Sequence, residues 1–237
     1  MYSFKSRVSY SQIDDKGQLS IPSVVNYLQD ASLFHSHDVG MSLAKLYELH
    51  RAWLLSTWHI IFNRFPIMGE QLQINTWPYA FKSVYGLRNY TIETNDGEVI
   101  AYGEGRWFLF DSLEGKPVLA KPADTDCYEY GEKLDMEYKP RKVTYPDDLE
   151  FIETVNIYPN QLDTNNHVNN GEYVRISCDY LPQGFCAAEL RVEYRTAAHV
   201  GDKLHVYRAD TDEYLYILLT NQDCNPYTIA EFKKGNM

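Results

Sequence analysis

The run Asp163-Thr164-Asn165-Asn166-His167-Val168-Asn169-Asn170 is the most informative stretch of the chain, between a predicted strand and a predicted helix. If it is extended, Asp163, Asn165 and His167 point to the same side, because side chains alternate along extended backbone. A carboxylate that activates water or attacks directly, beside amides and a helix N-terminus that stabilise an oxyanion, suits acyl-transfer hydrolysis. The alternative is an ordinary Asn-rich turn that leads into a capped helix.

One helical segment begins near the start of each half of the chain. Pro22 fits the first turn of the first helix, and the following apolar and small residues recur at helical spacing: Val24, Val25, Leu28, Ala31 and Ser32. In the second half, Asn169 stands three residues before Glu172, a spacing like that of a capping box. Its predicted buried face consists of Val174, Ser177, Cys178 and Leu181.

Antiparallel strands are predicted for most of the remaining chain. Asn95-Asp96-Gly97 separates two alternating patterns, which indicates a hairpin. The predicted strands are 3–9, 53–65, 71–77, 84–94, 99–110, 153–158, 189–196, 203–208, 214–220 and 228–233. Helices and antiparallel strands together predict the α+β class.

The two halves align as two copies of one α+β unit, with Asp14 over Asp163. We predict an N-terminal domain at 1–111, an irregular, proline-containing linker at 112–149 and a C-terminal domain at 150–237. The extra length of the first copy is assigned to a second helical piece around 41–49.

Only the second copy carries the full polar set. The first copy has Lys16 and Gln18 at the positions of Asn165 and His167. This difference predicts one site per chain, between the copies, with the first half contributing pocket walls.

Composition and charge exclude several classes of protein. With 44% hydrophobic and 23% charged residues, the chain is not of a disordered type. Its 22 basic and 33 acidic residues give a net charge of −11, so we expect no nucleic-acid partner. Because no apolar run approaches the roughly 20 residues of a membrane helix, and no signal-peptide core is present, we expect no membrane span and a cytoplasmic location.

No metal or cofactor is expected. The four cysteines are interpreted as small buried hydrophobic residues rather than disulfides or zinc ligands: Cys127, Cys178, Cys186 and Cys224. His35 and His37 lack further ligands. The other histidines on or beside strands are interpreted as structural: His59, His199 and His205.

The run from Asp163 to Asn170 resembles the acyl-acyl-carrier-protein thioesterase family of plants and bacteria. Val192-Glu193-Tyr194-Arg195 is similar to that family's downstream strand, and the segment from Trp53-Leu54-Leu55 through Pro66 and Gly69-Glu70 is similar to its first-half strand and turn. The resemblance implies a tandem (double) hotdog fold, in which an antiparallel sheet wraps a long helix in each half. It also implies hydrolysis of fatty acyl-acyl-carrier-protein thioesters to free fatty acid and carrier thiol. The absence of a plastid transit peptide favours a bacterial member.

The resemblance implies that Asp163, Asn165 and His167 are catalytic. Plant members also carry a Glu-Cys pair where this chain has Ala197-Ala198, so the second carboxylate is missing from its expected place. Glu193, four residues earlier on the same strand face, is the candidate replacement. The alternative for Glu193 is a strand residue paired with a nearby arginine.

An acyl pocket is predicted in the first half of the chain. Val25, Leu28 and Ser32 on the first helix and Trp58 on the sheet are predicted to line the pocket. The partner is acyl carrier protein, and the chain is expected to be a monomer with an internal pseudo-dimer or a homodimer. Alternative functions are an acyl-coenzyme A thioesterase and a non-catalytic acyl- or carrier-protein-binding module. An acidic carrier requires a local basic patch, for which the candidates are Arg64, Lys82, Arg88, Arg141, Lys142 and Arg191.

Overall fold

Two compact units make up the chain in the computed structural model, which describes residues 1–235. The first unit is Met1–Tyr138, and the second begins at Lys139. The last two residues of the predicted domain 150–237 lie outside the described residues.

The first unit is built on an antiparallel sheet. Its strands are β1 (Tyr2–Arg7), β2 (Arg51–Phe62), β3 (Gln71–Lys82), β4 (Tyr85–Thr94), β5 (Val99–Asp111) and the short β6 (Lys116–Pro117). They lie in the order β1–β3–β4–β5–β2, with β6 against the end of β5. The predicted hairpin joins β4 to β5, and Gly97 at its turn has a φ of +87°, which glycine adopts without strain.

Helix α1 (Ile21–Asp38) packs against β1 and β3. Pro22 lies in its first turn, as predicted, and Ser20 is its N-cap. The predicted apolar face is confirmed, because all of its members are buried: Val24, Val25, Leu28, Ala31 and Ser32. The predicted second helical piece is α2 (Leu43–Glu48), and a single turn, α3 (Pro122–Thr125), follows β6.

The second unit repeats the pattern with a shorter helix. Its elements are β7 (Glu150–Asn156), α4 (Asn170–Cys178), β8 (Ala187–Tyr194), β9 (Lys203–Asp210), β10 (Tyr214–Thr220) and β11 (Pro226–Lys234). The strands lie in the order β8–β11–β10–β9–β7, and α4 packs against β10 and β11.

Helix α4 begins as predicted but ends early. The side chain of Asn169 caps it by accepting a hydrogen bond from the N–H of Gly171 at 2.8 Å. Glu172 does not complete a capping box; instead its carboxylate accepts a hydrogen bond from Arg175 at 2.9 Å. Because the helix ends at Cys178, the predicted face member Leu181 lies beyond it.

Residues 112–149 pack onto the units rather than only joining them. In the first unit, the Nε1–H of Trp77 donates to the carbonyl of Glu132 at 2.6 Å. The Oδ1 of Asn89 accepts hydrogen bonds from the Leu134 N–H and the Tyr138 hydroxyl, both at 3.1 Å. In the second unit, Val143 is buried in a core cluster with Ala209, Tyr216, Leu218 and Ile229.

The cysteines are all free, but their expected burial is wrong for two of them. Cys127 and Cys224 are exposed, while Cys178 and Cys186 are half-buried. Among the described residues, no helix combines the length and the hydropathy that crossing a membrane would require.

The interior of the first unit holds a buried guanidinium beside a buried imidazole. Arg88 donates to Nδ1 of His35 at 2.5 Å and to Oγ1 of Thr76 at 3.3 Å. Its guanidinium also lies 5.6 Å from the ring centroid of Tyr128, and the ring of Tyr2 stacks on His35. Because a guanidinium only donates, Nδ1 of His35 must accept and the imidazole stays neutral.

His35 makes the first unit acid-sensitive. Burial, then the charges of Arg88 and the N-terminal amine, lower the pKa of His35 from 6.5 to about 4. Between these values the unfolded chain binds a proton that the folded chain does not, so the free energy of unfolding falls as pH drops from about 6.5 to 4. We expect His35→Gln, which keeps an acceptor for Arg88, to show a smaller loss over this range in urea unfolding.

His37→Gln is the matched control, since His37 is exposed on the same helix. It should retain the wild-type dependence on pH. Equal pH slopes for wild type and His35→Gln would contradict the assignment.

Candidate functional site

The polar loop ahead of α4 is a tight turn with anchored ends. Leu162 and Val168 pair as an isolated antiparallel bridge. Inside the bridge, the N–H of Asp163 donates to the carbonyl of His167 at 2.7 Å. Asn166 stands at the turn with a φ of +58°, a left-handed conformation in which Asn is enriched.

The carboxylate of Asp163 holds this turn together. Its Oδ1 accepts hydrogen bonds from the backbone N–H groups of Asn165 at 2.8 Å and His167 at 3.1 Å. Its Oδ2 lies 3.4 Å from Nδ2 of the Asn165 side chain. One carboxylate oxygen is therefore committed to the backbone, and the other faces an amide.

The backbone of this loop takes the alternative form, an Asn-rich turn that leads into a capped helix. Residues 164–167 turn rather than extend, so side-chain alternation does not apply to them. The turn nevertheless joins Asp163 to the side chain of Asn165 and to the backbone of His167. The ring of His167 meets the ring of His199 edge-on, with centroids 5.0 Å apart.

The first unit contains the same turn ahead of α1. Oδ1 of Asp14 accepts hydrogen bonds from the backbone N–H groups of Lys16 at 3.0 Å and Gln18 at 2.9 Å. The N–H of Asp14 donates to the carbonyl of Gln18 at 2.8 Å, and Gly17 takes the left-handed position with a φ of +75°. The aspartate therefore stabilises the same turn in both units. The units differ in the residues two and four positions after it, which are Lys16 and Gln18 in the first and Asn165 and His167 in the second.

Glu193 is bonded to residues outside this turn. It is 2% exposed on β8, and its carboxylate accepts hydrogen bonds from the Val143 N–H at 2.9 Å and from Arg195 at 3.1 Å. Arg141 lies 3.8 Å away. These contacts match the alternative interpretation of a strand carboxylate paired with arginine.

The segment after β8 brings His199, which we interpreted above as structural, next to the polar loop. The carbonyl of Ala198 accepts a hydrogen bond from the Val168 N–H at 3.0 Å, and the N–H of Ala198 donates to the Tyr173 hydroxyl at 2.8 Å. His199 follows directly and contacts His167. His199 lies close to His167 because residues far apart in the sequence pair with each other. The local sequence offered one hint of a site here: His199 stands two residues after Ala197, the position of the second carboxylate in plant members.

The predicted pocket residues lie in the interior of the first unit, where Val25, Leu28, Ser32 and Trp58 are all buried. Oγ of Ser32 lies 2.6 Å from the hydroxyl of Tyr90, and the Trp58 ring meets the same tyrosine edge-on at 5.0 Å. The buried Nε1 of Trp58 has no hydrogen-bond partner among the described residues.

Three of the basic residues considered for carrier docking are committed elsewhere. Arg64 pairs with Glu70 at 2.9 Å and Glu98 at 2.7 Å, Arg88 is buried, and Arg191 forms a buried ion pair. Within residues 1–235, no group of three or more His, Cys, Asp or Glu side chains is arranged to hold a metal ion.

Family models match both units. The model described as the acyl-ACP thioesterase N-terminal domain matches residues 1–122, and that of the C-terminal domain matches residues 146–226.

Curated relatives are similar at low identity. A chloroplast acyl-[acyl-carrier-protein] hydrolase of Cuphea viscosissima is 25% identical over 202 residues, which cover 74% of this chain and 47% of that protein. Oleoyl-acyl carrier protein thioesterase 1 of Arabidopsis thaliana is 22% identical over 237 residues, covering 90% of this chain and 64% of its own. The chain spans about half the length of the first of these relatives.

Solved structures share the fold over nearly the whole chain. An acyl-ACP thioesterase from Bacteroides thetaiotaomicron superposes with a TM-score of 0.88 at 20% identity, covering 98% of this chain and 97% of that one. The 12:0-ACP thioesterase from Umbellularia californica gives 0.83 at 17% identity, covering 99% and 96%. The predicted double hotdog of the α+β class is confirmed.

Proposed function

The chain belongs to the acyl-ACP thioesterase family, and from that premise we propose that it hydrolyses fatty acyl-acyl-carrier-protein thioesters to free fatty acid and carrier protein. The observation that carries the proposal is the turn at Asp163. The same turn occurs in both units, but only in the second does an asparagine amide lie 3.4 Å from the free carboxylate oxygen, and only there does the position of Gln18 hold a histidine, His167. A purely structural turn needs neither group.

Asp163 is the proposed reacting carboxylate. Its Oδ1 is held by two backbone N–H groups, which fixes the orientation of Oδ2. Oδ2 acts on the thioester or on the attacking water, and the Asn165 amide beside it orients this oxygen. Asn165 and His167 also polarise the thioester carbonyl. Water adds its oxygen to the carbonyl carbon, the C–S bond breaks, and the carrier thiolate leaves and takes up a proton.

The biological setting follows from this reaction. We infer that the substrate is presented by acyl carrier protein in the cytoplasm and that the reaction ends or diverts fatty acid synthesis. The test is thiol release measured with acyl-acyl-carrier protein and with acyl-coenzyme A at equal acyl chain length. A higher kcat/KM for the carrier substrate supports the proposal, a preference for coenzyme A supports the alternative thioesterase, and no hydrolysis of either supports a binding module.

Asp163→Asn separates the chemical role of this carboxylate from its structural one. An amide oxygen can still accept the two backbone hydrogen bonds, so we expect a folded variant with nearly unchanged KM. Loss of a base or nucleophile lowers kcat by about 100-fold or more, roughly 3 kcal/mol of barrier. The measurements are kcat and KM for thiol release together with Tm.

Asp14→Asn is the matched control, because it makes the same change in the same turn of the other unit. It should leave kcat close to that of the wild type. Near-normal thiol release by folded Asp163→Asn would return this aspartate to a structural role only.

The proposed acyl pocket lies at Val25, Leu28, Ser32 and Trp58. Trp58→Phe removes a buried indole N–H that has no described partner, so the fold should tolerate it, and the smaller ring should leave more space beside Tyr90. We expect longer fatty acids among its products and shorter ones from Ser32→Phe, measured by gas chromatography of released acids. Unchanged product profiles for two folded variants would locate the pocket elsewhere.

A further inference from the structure

We propose that His199 is a catalytic base at this site, held by Asp202, and that it takes the proton from the water that attacks the thioester. The inference rests on the proposed function and adds a residue to it. It begins with backbone geometry: the Val168 N–H donates to the Ala198 carbonyl at 3.0 Å. This bond lies between residues that directly follow His167 and directly precede His199, so it fixes the two histidines beside each other.

The anchor beneath His199 is buried and rigid. Val168 is 3% exposed and Ala198 is fully buried. The Ala198 N–H donates to the hydroxyl of Tyr173 on α4 at 2.8 Å. The backbone that precedes His199 is therefore tied to the polar loop and to the helix that follows the loop.

Asp202 places a carboxylate on the Nδ1 side of the His199 ring. The Asp202 Oδ2 accepts a hydrogen bond from the His199 N–H at 2.9 Å and lies 3.7 Å from Nδ1 of the ring. The Asp202 N–H donates back to the His199 carbonyl at 3.1 Å, which closes a short turn. A carboxylate on the Nδ1 side favours a proton on Nδ1 and leaves Nε2 as the acceptor for a proton from water.

The His199 ring lies where substrate and solvent can reach it. Its side chain is 54% exposed, and its centroid lies 5.0 Å from that of His167. Asp163 uses Oδ1 for the backbone of the turn, and the buried carboxylate of Glu193 pairs with Arg195. His199 is an exposed basic group in direct contact with His167 of the proposed catalytic set.

The proposed step conserves atoms and charge. Water bonds to the carbonyl carbon while one of its protons moves to Nε2 of His199 and the other hydrogen bonds to Oδ2 of Asp163. The tetrahedral intermediate collapses, the C–S bond breaks, and Nε2 returns the proton to the leaving sulfur. The products are the fatty acid and the carrier thiol, and His199 ends in its starting state.

The test is chemical rescue of His199→Ala. We expect the variant to fold and to lose about 100-fold in kcat with KM within about threefold of the wild type. Added free imidazole should restore part of the lost kcat in a concentration-dependent manner. The matched control is His205→Ala, in which a histidine on β9 that hydrogen-bonds Thr154 is removed; its kcat should stay near that of the wild type and not respond to imidazole.

Asp202→Asn tests the positioning role. The amide still accepts the His199 N–H, so the turn should survive while the charge beside Nδ1 is lost. We expect about a tenfold lower kcat, and no further loss when the change is added to His199→Ala, because Asp202 acts through His199.

Three outcomes overturn the proposal. These are a His199→Ala variant within about twofold of wild-type kcat, a loss that imidazole does not relieve, and additive effects of the two substitutions. Failure of the proposed function is distinguishable, because the wild type itself would then release no thiol from either thioester.

Discussion

The hydrogen bonds between one aspartate oxygen and two backbone N–H groups determine how each unit passes from its first strand into its helix. They occur at Asp14 before α1 and at Asp163 before α4, with donor distances between 2.8 and 3.1 Å. Each carboxylate oxygen accepts from two N–H groups of its own turn, as aspartate side chains commonly do where the backbone turns. The same backbone frame therefore presents whatever side chains stand two and four residues after the aspartate.

This constraint separates the scaffold from the chemistry. An aspartate at either position is explained by the turn alone, so its presence says nothing about a reaction. The informative difference is that Lys16 and Gln18 in the first unit correspond to Asn165 and His167 in the second. A duplicated frame can carry reactive side chains in one copy while the other copy keeps only the fold. The functional argument thus rests on the pair of variable positions rather than on the shared carboxylate.

Local patterns in the sequence predicted most of the fold. Alternation located the strands, Asp96-Gly97 located the hairpin of β4 and β5, and Pro22 and Asn169 marked the helix starts. Each of these depends on residues within a few positions of one another. The repeat alignment also paired Asp14 with Asp163, which the two equivalent turns bear out.

Long-range pairing accounts for what local patterns could not predict. Extended backbone and a turn both stayed open for residues 164–167, because alternation says nothing about a carboxylate that bonds its own backbone. The place of His199 depends on a hydrogen bond between Val168 and Ala198, which are 30 positions apart. The partners of Glu193 include Val143, 50 positions earlier, within a stretch expected to be a linker. Such contacts depend on the tertiary arrangement of strands and connecting segments, which local sequence patterns do not specify.

Buried charges in the two units illustrate how the protein keeps its reactive groups distinct from its structural ones. Arg88 is enclosed with a neutral imidazole and an aromatic ring, and Glu193 is enclosed with arginine and a backbone N–H. A buried charge must be satisfied where it lies, because leaving it unpaired is costly in a medium of low polarity. Both groups are buried, and their recorded partners are other groups of the protein. The side chains of Asn165 and His199, in contrast, are exposed on turns whose backbones are anchored to buried residues. An anchored backbone that carries an accessible polar side chain suits catalysis. The reacting group is then already ordered before the substrate binds, so less entropy is lost on binding.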